Sequence, residues 1–260
     1  MSVQPDEQSH EDQQSVPFDQ ATNLLTSFTQ FLTVCIHNIL YYRSIYPAQT
    51  FLTSRAFNLP VHQSRHPKVC SWIHDAVDAV EAQLVLGTVG RIAVVIYDGK
   101  ASVMERWMFD VAGFPAWKGF KEARGLRADE EDEPAEGADS IESGTEAKVN
   151  WANVDEQLRA TVRKLAFAGE KLGSLPEGCT FTIAVELRDD SEAPIGHPQP
   201  WIPTQSNLQT RAKDKQIPGQ DVGGAKTTPV RSVEAGPLFF ECWVEEGKAK
   251  EQPSSHTSSI

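Results

Sequence analysis

Leu24, Phe28, Phe31, Leu32, Cys35, Ile36, Ile39 and Leu40 recur at the i, i+3, i+4, i+7 spacing that gathers side chains on one face of a helix. So many large apolar positions predict a helix central to the domain. It runs to about Ser44, with Pro47 preventing its continuation. Residues 46–64 read as loop or short strand pieces, with Pro60 as a breaker. A second helix is predicted from Pro67, a good first-turn residue. Val69, Ile73, Ala76, Val77, Val80 and Leu84 lie within one arc of its wheel. Trp72 falls about 90° from the centre of that arc, at roughly 100° per residue, and is expected on the flank of the buried stripe.

The period then changes. Arg91–Tyr97 (RIAVVIY) is a β-rich apolar run, Asp98-Gly99 is a hairpin turn signal, and Ala101–Asp110 is the returning strand, with imperfect alternation. A third helix is predicted from Asn150, a good N-cap, to Ala168, with Trp151, Val154, Leu158, Val162 and Leu165 as its stripe. Gly169, Gly173, Pro176 and Gly178 are expected to end it. Cys179–Leu187 alternates cleanly, as a strand with one buried face does. Leu238–Glu245 is another strand, with Leu238, Phe240, Cys242 and Val244 on one face and Phe239, Glu241, Trp243 and Glu245 on the other. Between these two strands, residues 188–237 are rich in Pro, Gly, Gln and Thr. A loop of that length inside a compact domain reflects function or disorder. The pattern as a whole predicts an α+β fold, with helices packed on a mainly antiparallel sheet.

Composition sharpens the boundaries. The chain has 260 residues and a formal net charge of −12. Residues 1–18 carry −4 of that charge and residues 121–148, which contain the run Asp129–Glu133, carry −6. These stretches and residues 247–260 have too few large apolar side chains to offset the entropy of ordering. They are expected as a disordered N-terminal tail, an acidic disordered insertion and a disordered C-terminal tail around one domain spanning 19–246. The remaining domain is near neutral, which does not provide the basic footprint that direct binding of DNA phosphates needs. The longest unbroken apolar run, Ile92–Tyr97, is six residues. A membrane span needs roughly 20, so no integral membrane protein is expected. The polar, acidic N-terminus likewise predicts no secretory signal. Cys35, Cys70, Cys179 and Cys242 form no C-x-x-C pair, which points away from a disulfide scaffold and towards a reducing compartment.

Motifs for chemistry are lacking. The sequence contains no phosphate-cradling G-x-x-x-x-G-K-[ST] loop, no G-x-G-x-x-G after a strand and no G-x-S-x-G elbow. His62 and His66 are four apart, as are Cys70 and His74, but two ligands do not make a metal site. Asp189-Asp190 are adjacent loop carboxylates, not a positioned acid–base pair. The reading is a protein without catalytic residues, metal or cofactor.

Five stretches carry a resemblance. They are NILYYRSIYPAQTF (Asn38–Phe51), NLPVHQSRHPKVCSWI (Asn58–Ile73), PEGCTFTIAV (Pro176–Val185), QPWI (Gln199–Ile202) and FFECWVEE (Phe239–Glu246). In this order they resemble HORMA domains, and within that family the branch of regulatory subunits of the translesion DNA polymerase zeta. MERWMFD (Met104–Asp110) also resembles the spindle-checkpoint branch. The resemblance implies three helices on an antiparallel sheet and a C-terminal seatbelt, residues 188–246, that closes over a partner peptide added to a sheet edge. It implies a nuclear adaptor in DNA damage tolerance that binds a Pro-containing peptide of the polymerase zeta catalytic subunit and bridges to the Rev-one polymerase. The alternative is a spindle-checkpoint protein binding checkpoint or anaphase-regulator peptides.

By the same resemblance, Trp72 and Trp201 contact the peptide, with Trp72 standing where animal relatives carry Tyr, and Tyr41 borders the groove. Arg159 is implied at a HORMA homo- or heterodimer interface. Glu241 and Trp243 are implied to contact the C-terminal domain of Rev-one, where Thr227 replaces an apolar residue of the animal proteins. The acidic insertion 121–148 and the Gly-rich Gln216–Lys226 stretch depart from the family pattern.

Overall fold

The long apolar stripe near the N-terminus becomes helix α1 (Phe18–Tyr42), around which the core is assembled. The structure, a computed structural model, describes residues 17–114, 149–188, 191 and 226–251. The expected acidic insertion at 121–148, Trp201 and most of the expected seatbelt loop lie outside the described residues. On α1, Phe28 meets Phe114 edge-on at 4.7 Å and Phe240 at 5.3 Å, and Phe31 meets Phe109 at 6.2 Å. The helix is long and apolar enough to cross a membrane by composition alone, but 67% of that stretch is buried inside the fold. It is a core helix.

After α1 come strands β1 (Phe51–Ala56) and β2 (Leu59–Ser64), then helix α2 (Pro67–Val85) and strands β3 (Val89–Tyr97) and β4 (Val103–Asp110). Helix α3 (Trp151–Lys171), β5 (Thr180–Leu187), β6 (Lys226–Ala235), β7 (Leu238–Glu246) and a 3-10 turn (Lys248–Glu251) complete the order. The main sheet runs β5-β3-β4-β7-β6, with every neighbouring pair antiparallel. α1 packs against both α2 and α3, and α3 also lies against β6. This is the expected α+β arrangement.

Two details differ from the sequence reading and two others sharpen it, each for a physical reason. Residues 51–64, read as loop or short strand pieces, are two short strands paired as a hairpin, with Phe57 and Asn58 at φ 48° and 58° in its two-residue turn. Its inward positions are few because α1 completes it from outside: the His62 N–H donates to Asn38 Oδ1 at 2.9 Å and the Ser64 N–H to His37 Nδ1 at 3.4 Å. Residues 226–235, expected as loop, form strand β6 opposite β7. Half of an edge strand faces solvent, so its composition is polar. Strand β4 alternates poorly because both of its faces are buried, with Trp107 and Phe109 in the main core and Val103 and Met108 in a smaller cluster. Finally, α3 continues past Gly169 to Lys171. Gly169 does not break the helix. A Cβ there would stand 2.8 Å from the Tyr42 Cβ, so the missing side chain is what lets α1 approach α3.

One buried ion network joins these elements. Arg43, just past the end of α1, donates to both carboxylate oxygens of Glu105, from Nε at 2.9 Å and Nη2 at 2.8 Å. The two side chains are 4% and 0% exposed. The guanidinium also donates to the carbonyls of Gly169 (2.9 Å), Leu172 (3.4 Å) and Gly173 (2.6 Å). These belong to the last turn of α3 and its exit, where helix carbonyls lack partners and a cation is favoured. The Trp107 indole N–H reaches Glu105 Oε2 at 3.3 Å, and Lys250 Nζ reaches Glu105 Oε1 at 2.5 Å. The domain therefore continues beyond residue 246: Gly247 is buried and Lys250 is tied into the core.

Removing one member of a buried pair strands the other, at a cost of about 3–5 kcal/mol. Arg43→Met should therefore lower unfolding stability by that amount in urea titrations, whereas Arg159→Met, whose ion pair is exposed, should change it by less than about 1 kcal/mol. Equal effects would contradict the role given to Arg43.

Burial also pushes the His37 imidazole down to about 4, from an ordinary value of 6.5. Between those values the unfolded chain binds a proton that the folded chain refuses. The His37 contribution is complete above pH 6.5 and declines as pH falls towards 4. The expected loss is about 2 kcal/mol at pH 5. Urea midpoints at pH 7 and pH 5 should show this decline, and His37→Gln should remove the part due to the imidazole.

Candidate functional site

The two edges of the main sheet have different chemistry. At one edge β5 is hydrogen-bonded to β3 alone among the described residues. Phe181, Ile183 and Val185 of β5 are half-buried against the core. α2 supplies the wall. Pro67 opens the helix at N1, and Ile73, Val77 and Val80 point into the core. Trp72 stands one residue before Ile73, about 100° round the helix, and so lands on the flank. It is half-buried, and its ring meets Phe181 edge-on, at 5.0 Å and 82°. Tyr46 approaches the other side of the same system, 6.5 Å from Phe181 at 88°. An unpaired strand edge beside a half-buried aromatic row offers free backbone groups together with an apolar floor.

The opposite edge, β6, is blunted. It carries Pro229, which has no N–H to give, and its register slips between Pro229 and Arg231. Exposed Lys226, Thr227, Ser232 and Glu234 line it. The chain leaves β5 at Leu187 on the open edge and returns in β6 on the blunted one. Four strand spacings, about 19 Å, separate the two.

The remaining predicted residues fall in three other places. Tyr41 faces the β1–β2 hairpin, where its ring stacks on His62 at 3.4 Å and 10° and meets Phe51 edge-on at 5.4 Å. The aromatic ring that joins Trp72 and Phe181 at the β5 edge is Tyr46. Arg159 is half-buried midway along α3, paired with Glu156 at 2.7 Å. Glu241 and Trp243 lie on the sheet face turned away from the helices. There the Trp243 indole N–H donates to Glu245 Oε1 at 2.9 Å, and the Arg91 guanidinium sits 6.0 Å from its ring. Arg91 is held by Asp110 at 2.8 Å and Glu186 at 3.2 Å. The hydrogen bond that Arg91 donates to Asp110 is the largest influence raising its pKa. Thr227 is exposed on β6, opposite Glu245. Trp201 is outside the described residues.

Phe181 and Tyr46, which the sequence reading did not single out, stand in one row with Trp72. Phe181 reads as an ordinary inward position of an alternating strand, and nothing local says that its strand is an edge. One member of each candidate ligand pair is engaged in the fold. His62 is stacked on Tyr41, and Cys70 Sγ donates to the Ser64 carbonyl at 3.1 Å. Burial pushes the Cys242 thiol up to about 12 and raises Cys35 well above its usual range, so neither is a thiolate at neutral pH.

Residues 25–229 match the HORMA domain. The DNA polymerase zeta processivity subunit of Schizosaccharomyces pombe is 31% identical over 219 residues, 84% of this chain and 91% of that protein. The mitotic spindle assembly checkpoint protein MAD2B of Homo sapiens is 28% identical over 222 residues, 84% and 88% of the two chains. Among solved structures, a chain of the mitotic checkpoint complex superposes with a TM-score of 0.60 at 20% identity, covering 86% of this chain and 98% of that one. Caenorhabditis elegans HTP-2 bound to a HIM-3 closure motif gives 0.51 at 15% identity, covering 92% and 93%. The structural likenesses establish the fold. With the sequence match over most of its length, they show that this chain belongs to the HORMA domain family.

Proposed function

We propose that this chain is the non-catalytic adaptor subunit of translesion DNA polymerase zeta. The observation that carries the reading is the edge of β5, unpaired among the described residues and flanked by the half-buried rings of Trp72, Phe181 and Tyr46. A Pro-containing peptide of the catalytic subunit adds as a strand along β5. Its backbone takes up the free hydrogen-bonding groups, and its apolar side chains settle against Trp72. Trp201, in the chain that joins β5 to β6, closes over the same peptide. Names of two relatives, the processivity subunits of S. pombe and Arabidopsis thaliana, support the assignment.

The opposite sheet face, with Glu241 and Trp243, receives the C-terminal domain of Rev-one, so that one subunit joins two polymerases in the nucleus. Because Thr227 replaces an apolar residue at that contact, the second interface is the weaker of the two. Arg159 on α3 serves association with another HORMA domain. A second reading, capture of spindle-checkpoint or anaphase-regulator peptides at the same edge, is favoured by the checkpoint-like stretch Met104–Asp110.

Calorimetric titration with a catalytic-subunit peptide and with a checkpoint peptide separates the two readings. The polymerase peptide should bind tightly and the checkpoint peptide weakly. Trp72→Ala and Trp201→Ala should each cost about 2 kcal/mol or more, roughly a 30-fold loss, as buried aromatic anchors do. Unchanged affinity in both variants would remove them from the site, and tight binding of the checkpoint peptide alone would favour the second reading.

The two sheet faces also predict separable effects. Trp243→Ala should leave polymerase-peptide affinity within twofold while reducing binding of the Rev-one C-terminal domain by tenfold or more. Loss of both together would contradict two independent surfaces.

A further inference from the structure

Strand β6 carries chemistry that neither the fold nor the proposed function uses. It contains the run Thr227-Thr228-Pro229-Val230-Arg231. Of the 16 prolines in the chain, only Pro229 follows a Ser or Thr. A hydroxyl residue, then proline, then a cation three places after the hydroxyl is the pattern that proline-directed protein kinases accept. The proline suits such an enzyme because it brings no N–H to be left unsatisfied in the kinase cleft. A pattern this short also arises by chance, so its setting decides.

β6 presents the run already extended. It is the last strand of the sheet and is bonded to β7 alone among the described residues. The slip of register between Pro229 and Arg231 loosens the pairing just after Thr228. Thr228 is half-buried and Pro229 is exposed. Directly opposed residues share one face of a sheet. Thr228 opposes Val244 and Arg231 opposes Cys242, both buried on the helix side, and Lys226 opposes Glu246 two places on from Val244. The Thr228 hydroxyl therefore stands on one face between two cations. Lys226 is 70% exposed and only loosely engaged, 3.8 Å from Glu246. Arg231 donates from Nη2 to Gln157 of α3 at 2.5 Å, but its Nε is buried and has no hydrogen-bond partner among the described residues. A buried cationic N–H without an acceptor is costly, and nothing else in the fold accounts for it. Thr227 lies on the other face opposite Glu245, where a second anion is repelled.

We propose that Thr228 is a phosphorylation site, the acceptor for a proline-directed serine/threonine kinase, and that Lys226 and Arg231 hold the product phosphate. In the reaction Thr228 Oγ1 attacks the γ-phosphorus of a nucleoside triphosphate. The Oγ1–P bond forms as the bond from that phosphorus to the bridging oxygen breaks, the hydroxyl proton passes to a base of the kinase, and the nucleoside diphosphate leaves. The phosphothreonine carries roughly −1.5 to −2 charges at neutral pH and three strong acceptor oxygens. That charge matches the two cations, and one oxygen supplies the acceptor that Arg231 Nε lacks. This stretch of the β6 edge, cationic when unmodified, becomes close to neutral. The site does not rest on the partner assignment above.

The test exposes the full chain to magnesium ATP and a purified cyclin-dependent kinase, beside a synthetic peptide of residues 222–236. Mass spectrometry should find one phosphate per chain, on Thr228, added at a rate within about tenfold of the peptide's. Thr228→Val keeps the branched shape that a strand favours and should lose the modification, and Thr228→Ser should retain it. In the phosphorylated chain the Arg231 Nε–H proton resonance should move downfield as it gains an anionic acceptor. Modification of the peptide but not of the folded chain would overturn the site, and so would phosphate on Thr227 or elsewhere, or modification of neither. An unmoved Arg231 resonance in the modified chain would overturn the phosphate cradle.

Discussion

The side chain of Arg43 is the point on which the rest of this structure depends. It stands where α1 ends, and its guanidinium has five donors in a fixed plane. Two go to Glu105 in the middle of the sheet, and the others reach the carbonyls that end α3. A single cation therefore fixes the angle between the central helix, the third helix and β4. The apolar core alone could not do this. Burial of Leu, Ile and Phe is non-directional and would tolerate small rotations of α1 against the sheet. The ion pair, with its bidentate geometry, tolerates few. Gly169 completes the arrangement by letting Tyr42 come against the α3 backbone directly above the carbonyl that Arg43 uses.

That fixed frame makes the two sheet edges unequal. With α1 in the middle and α3 over β6, the helix face is filled on the β6 side, and α2 meets the β5 side only through its flank. Trp72, Phe181 and Tyr46 are consequently half-buried: supported by the core, yet not covered by it. Meanwhile β6 has Pro229 and a slip of register, features that keep an exposed strand from recruiting another. The hairpin β1–β2 is protected in a third way, with side chains of α1 occupying its outer N–H groups. Among the described residues, β5 is the edge where free backbone groups and an apolar floor coincide.

Much of this was legible in the order of the residues, and the parts that were not share a cause. The stripes of α1, α2 and α3 and the alternation of β5 and β7 are local periodicities, and each appears in the structure close to its expected span. Asn150 caps α3 as read, accepting from the Asn153 N–H at 3.2 Å. The segments with the weakest local pattern are those whose surroundings come from elsewhere in the chain. β4 looks irregular because both its faces are covered. β6 looks like loop because it lies at an edge. The β1–β2 hairpin looks weak because α1 supplies part of what it needs. Trp72 was identifiable by its angle on the helix, whereas Phe181 and Tyr46 were not, since an inward strand residue and a residue before a proline give no sign of their neighbours.

The sequence by itself determined the helices, the strands with one buried face, the family and the off-stripe position of Trp72, because each is encoded in spacing or motif over a few turns. Tertiary structure decided which strands form the edges of the sheet, which ring stands beside Trp72, and that Arg43, Glu105, Glu246 and Lys250 converge. These four are separated by up to 145 residues in pairs that touch. No local pattern marks such partners. Each looks like an ordinary surface charge until the fold removes water from around all of them at once, and only then does their pairing become obligatory.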